Sequence, residues 1–176
     1  MQFHAKRARN IAFGIGSALV CGTMPVSSMA ADASSNLKWS TDPSTQCRFV
    51  APDSLGNGHK YWTGYCSTVT HVATGIGMIV ARKDNQAGPA FFGEVRAGVP
   101  VIGVVDDGDG LRAGLFDGKE IGAAKEAEQV DIDDSFTVAV RAATMVSEHY
   151  AQQNNTGSAK HYQGVAQQFA SQLEGD

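Results

Sequence analysis

The sequence predicts an α+β domain: a small antiparallel β-meander followed by a C-terminal αα-hairpin. Three observations carry that expectation. Between Tyr61 and Ile121 the apolar residues come in short runs punctuated by glycine. From Asp134 onward they recur at spacings of three and four. A lone cysteine pair, Cys47 and Cys66, follows a segment with the pattern of an export signal.

The first thirty residues read as that signal. "HAKRARN" is basic, "IAFGIGSALVCG" is an apolar run too short to span a bilayer, and Ser28 and Ala30 stand where a signal peptidase wants small side chains. Cleavage is expected after Ala30. Val20 before Cys21 is a poor match to a lipoprotein signal. No later run approaches the roughly 18 apolar residues of a membrane-spanning helix. The expected product is periplasmic or secreted, with no membrane insertion once the signal is removed. Losing Lys6, Arg7 and Arg9 takes the formal charge from −4 to −7. Such a surface repels phosphate backbones and anionic headgroups, which argues against nucleic-acid partners.

Residues 31–46, "ADASSNLKWSTDPSTQ", are polar and aperiodic and read as a loose leader. Cys47 and Cys66 then form an even pair in an oxidising compartment, so a disulfide is expected. It closes a loop of about 18 residues and stabilises the fold by about 3 kcal/mol in the chain-entropy model.

The 47–121 segment is the expected sheet. "YWTGYC", "IGMIVA", "AFFGEV", "VPVIGVV" and "LRAGLF" are strand-length, and "KDNQAGP" and "DDGDG" are turn clusters between them. Residues 122–133 read as a linker whose Ala, Glu and Lys content suits a short helix. Over 134–174 two helical stripes follow. Phe136, Ala139, Val140, Ala143, Val146 and Tyr150 form the first, and Tyr162, Val165, Ala166, Phe169 and Leu173 the second. Asp134 or Ser135 is the expected cap of one helix, and Thr156 or Ser158 of the other. The stripes need an apolar partner, and one sheet face supplies it.

The glycines repeat. "FFGEVRAG" is answered about twenty residues later by "LRAGLFDGK", and "YWTGYC" with "ATGIGMIV" supplies an earlier unit. At these residues the chain resembles the MORN repeat over about 61–121. The "YWTGYC…TGIG" stretch is similar to the Trp-x-Gly-x-Cys opening unit of exported bacterial members. Val95 stands where the family has an aromatic, and Gly103 is alone where Gly-x-Gly is usual. The resemblance implies that each unit is a β-hairpin and that the hairpins form one twisted sheet.

Candidate chemistry is sparse. In "VVDDGDGLRAGLFDG" a calcium loop begun at Asp107 places Asp109 at position 3 but Leu111 at 5 and Gly118 at 12, so the pattern fails. Asp-Gly pairs between apolar runs suit hairpin turns instead. No metal site or cofactor is implied. No Gly-x-Ser-x-Gly elbow is present, and His59, His71, His149 and His161 sit in unrelated contexts. Glu94 and Asp117 occupy related repeat positions and are the acids a small periplasmic hydrolase would use. The denser resource is aromatic: Tyr61, Trp62, Tyr65, Phe91, Phe92 and Phe116. Adjacent strand residues point to opposite faces, so Phe91 and Phe92 cannot share one, and one of them is expected to be available to a partner. The favoured expectation is a non-catalytic exported module that binds a protein, peptide or glycan. The hydrolase is the alternative, and a ligand- or metal-binding protein comes third.

Overall fold

A computed structural model describes residues 37–84, 86–122 and 129–174. The signal segment, residues 31–36 of the leader and residues 123–128 of the linker lie outside the described residues. The elements in chain order are β1 (Trp39–Thr41), β2 (Arg48–Val50), a 3-10 turn (Asp53–Leu55), β3 (His59–Cys66), β4 (Ala73–Lys83), β5 (Gln86–Arg96), β6 (Val99–Asp106), β7 (Leu111–Leu115), α1 (Gln129–Gln152) and α2 (Thr156–Leu173).

Strands β3 to β7 form one antiparallel meander in sequence order, and the two helices follow it. The α+β expectation holds. Local chemistry fixes the connections. Ala97 and Gly98, between the paired Arg96 and Val99, both take positive φ, which a two-residue hairpin needs to match strand twist. At the β6–β7 turn, Asp106 Oδ1 accepts the Gly108 N–H (3.0 Å), and Asp107 Oδ1 accepts those of Asp109 and Gly110 (3.1 Å each). Asp107 also pairs with Arg112 at 3.2 Å. These two aspartates build the turn.

Alternation along the strands feeds two separate cores. Met78, Val80, Phe92 and Val104 point to one face, where Phe136, Ala139, Ala143 and Val146 of α1 and Tyr162, Val165 and Phe169 of α2 cover them. Alanines on α1 let the helix approach the strands closely, and α1 crosses β4 to β7. Trp62, Ile79, Phe91, Val95 and Val105 point to the other face, which Cys47, Phe49, Ala51 and Leu55 cover. The domain therefore has three layers. This corrects the expectation that Phe91 or Phe92 stays available: they are 0% and 2% exposed. The residues just after the leader close the second face.

That N-terminal layer is tied across the sheet by main-chain bonds. The Arg48 N–H donates to His71 O (2.8 Å), Val50 N–H to Gly98 O (2.7 Å) and Asp53 N–H to Lys119 O (3.0 Å). The Cys47–Cys66 disulfide, with Cα atoms 6.0 Å apart, joins it to the end of β3. Residues 37–46 are not loose: β1 pairs with β2, and Asp42 is buried. Asp42 Oδ1 accepts the N–H groups of Ser44 (2.7 Å) and Thr45 (3.2 Å), and Oδ2 accepts that of Trp62 (2.9 Å). Side-chain hydrogen bonds, rather than an apolar period, hold this stretch.

The helix caps also differ from expectation. Helix α1 is already formed at Gln129, and Ser135 is buried within it, donating back to the Asp131 carbonyl. The apolar stripe marked where α1 meets the sheet, not where it begins. Asn155 caps α2 by accepting the Ser158 N–H at 3.1 Å. No helix among the described residues is long and apolar enough to cross a membrane.

Candidate functional site

Strand β3 opens the meander, so it lies at an edge of the five-stranded sheet. Its local shape follows from Trp62. The indole lies across Gly64 and Gly77; a Cβ at Gly64 would sit 2.3 Å from its ring, and one at Gly77 2.7 Å. Its Nε1–H donates to Tyr65 O at 3.0 Å. The β3–β4 register slips between Thr63 and Tyr65, and beyond the slip Tyr65 is 63% exposed.

On the helix-facing side, Tyr61 carries the Arg82 guanidinium 5.3 Å above its ring centroid. Arg82 Nη2 donates to the Tyr150 hydroxyl at 3.2 Å, linking β4 to the end of α1. Tyr150 stacks on Tyr162 with centroids 5.5 Å apart and rings 6° from parallel. Burial pushes the Tyr162 hydroxyl pKa up, Tyr150 adds to the rise, and the Arg82 charge opposes it. The His149 ring stands edge-on to Tyr150 at 5.7 Å, and the Gln153 amide lies 2.8 Å from its Nε2. Met145, one turn earlier, is 46% exposed.

Together these elements enclose an open groove of about 680 Å³ between the β3 edge and the last turns of α1. Asp42, Tyr61, Tyr65, Arg82, Met145 and His149 line it, along with hydroxyl and amide side chains. Its walls combine rings, the Arg82 cation, the carboxylates of Asp42 and Glu148, and several neutral hydrogen-bonding groups. Such a lining orients a ligand through a few polar contacts while rings supply area.

Of the six aromatics singled out from sequence, Tyr61, Trp62 and Tyr65 meet at this groove, with only Trp62 fully in the core. Phe91 and Phe92 belong to the two opposite cores. Phe116 lies beyond β7, bridged to Ile121 and packed against the N-terminal-side core. Sequence reasoning missed Arg82 and Asp42 and took Tyr150 only as a member of the helix stripe. "DPST" from Asp42 to Thr45 carried a usable signal, since Asp before Pro favours a side-chain-closed turn.

The candidate hydrolase acids have structural occupations. Glu94 grips Arg96 through two bonds of 2.7 and 3.0 Å. Asp117 Oδ1 accepts the N–H groups of Glu120 (2.7 Å) and Lys119 (2.8 Å), which hold its pKa below the usual carboxylate range. That shift suits a turn anchor and opposes a general acid. Among the described residues, no group of three or more His, Cys, Asp or Glu side chains is placed to hold a metal ion.

Fold and site together define an α+β domain with a disulfide-tied N-terminal layer and an aromatic edge groove. No protein-family model, curated protein or solved structure matches the chain.

Proposed function

We propose that this protein is a non-catalytic, exported binding or scaffolding module, matured by cleavage after Ala30. Its sheet is read as degenerate MORN-like hairpins, and its partner is a protein, peptide or glycan. The observation that carries the reading is the covering of both sheet faces, while the groove along the β3 edge keeps the exposed ring of Tyr65 and the half-buried ring of Tyr61 on its lining. Tyr65 and Met145 are large side chains left outside the core on its two walls. Aromatic residues carry a large share of binding energy wherever partners meet. The cysteine bridge supports export to an oxidising compartment.

The test compares immobilised mature protein with Tyr65→Ala and Met145→Ala forms in capture from periplasmic and envelope extracts. Leu115→Ala, exposed on β7, serves as a control away from the groove. Material retained by the parent and the control, and lost by both groove variants at unchanged melting temperature, is the expected result. Retention that survives both groove substitutions would remove the groove from the reading. Turnover of an envelope substrate, abolished by Glu94→Gln or Asp117→Asn, would replace the reading with an enzyme.

A further inference from the structure

We infer that the groove receives an acidic sugar, and that Arg82 is the group that takes its carboxylate. The inference rests on the groove being the binding surface and adds the chemistry of what it binds.

Among the described residues two arginines are half-buried, Arg82 and Arg112. Arg112 has carboxylates from Asp107 at 3.2 Å and Glu120 at 3.7 Å. Among the described residues Arg82 has no carboxylate within ion-pair distance. Its protein contacts are the Tyr61 ring and one bond from Nη2 to the Tyr150 hydroxyl, and its Nε–H is shielded from solvent without an acceptor. A guanidinium carries five N–H donors in a rigid fork matched to a carboxylate. The shielded Nε–H is out of a ligand's reach, so the usable edge of the fork is Nη1 with the second N–H of Nη2, which stacking and the Tyr150 bond hold in place. The ordering cost of a bidentate contact is therefore largely met before a ligand arrives.

The rest of the lining selects the kind of acid. Ser44, Thr45, Gln152 and Gln153 offer both donors and acceptors, as a ring bearing several hydroxyls requires. Tyr65 presents a ring against which the apolar face of a sugar lies flat. An extended peptide adding to the β3 edge is disfavoured, because Asp42 already takes the outward Trp62 N–H. The net negative charge of the chain gives no long-range attraction for an anion, and the lining itself carries Glu148 and Asp42, the latter with its oxygens already taken by three N–H groups. Recognition then depends on the short-range fork contact, which makes it sensitive to the carboxylate itself.

The experiment is calorimetric titration of the full mature protein with short oligogalacturonates, with the same oligomers methyl-esterified, and with an acidic peptide. Esterification removes the charge, keeps the sugar, and needs no protein variant. The expected result is binding of the acid form, at least about tenfold weaker for the ester. Arg82→Gln should lose affinity to the same extent, and Arg82→Lys, which keeps charge without the fork, should fall between. If the ester binds as tightly as the acid while Tyr65→Ala abolishes both, the groove stands and the carboxylate inference falls. Preference for the acidic peptide, or no binding of any sugar form, overturns the acidic-sugar inference; the extract capture decides separately whether the groove binds at all.

Discussion

Truncating Phe91 and Phe92 one at a time probes the three-layer arrangement from both sides. The Phe92 ring lies 5.2 Å from Phe169 and 6.2 Å from Tyr162, under the helices. Phe91 lies under the N-terminal layer, against the backbone of Gly93 and Gly103. Neither side chain has exposed surface to spare, so each alanine loses the full transfer term and leaves a cavity. The expected cost is about 3–5 kcal/mol for each. Against a total of about 5–15 kcal/mol that is a large share of the stability. For a domain of this size it lowers the melting temperature by about 10–20 °C. Urea unfolding under non-reducing conditions should show both midpoints falling with little change in slope. A cost below about 1 kcal/mol at either residue would mean that its face is open, and the reasoning that both faces are covered would fail.

Other positions give equally direct outcomes. A Cβ at Gly93 would lie 2.3 Å from both the Ile102 carbonyl oxygen and the Phe91 ring, whereas at Gly88 its nearest contact is 3.5 Å. Gly93→Ala should therefore cost about 1–3 kcal/mol or more in denaturant titration, and Gly88→Ala less than about 0.5 kcal/mol. Asp42→Ala strips acceptors from three N–H groups and should cost about 2–3 kcal/mol, with faster proteolysis around residues 37–50 and a smaller effect for Asp42→Asn. Tyr162 has a folded-state pKa raised above 10.0, so the folded state keeps its proton longer than the unfolded chain. Its contribution is complete below pH 10 and is lost as pH rises through the folded value. Alkaline melting curves should lose that component in Tyr162→Phe; identical pH slopes in the two proteins would refute it.

Much of the fold was legible because each strand and helix carries its own local period. Glycine clusters separated the strands of the meander, and the spacing of Phe136, Ala139, Ala143 and Val146 gave the face of α1 that meets the sheet. The opposite orientations of Phe91 and Phe92 were legible too. What covers Phe91 was not, because β1 and β2 are three residues each and show no period. Their anchors, Asp42 and three main-chain bonds to distant loops, leave no hydrophobic pattern. The groove was only half legible for a related reason. Tyr61 and Tyr65 stood out as aromatics on a strand. Arg82 and Tyr150, 68 residues apart, become a pair only when α1 folds back over β4.

The reading of this protein as a binding module acting through its β3 edge is tested most directly by mapping amide chemical shifts. The isotopically labelled mature protein would be titrated with solubilised envelope material. The account predicts perturbations clustered at Tyr61, Tyr65 and Arg82 and at 145–153 on α1, with no change in the added material. Perturbations concentrated instead around Trp39 and Val69, two exposed apolar positions outside the groove lining, or progressive breakdown of the added material, would contradict it.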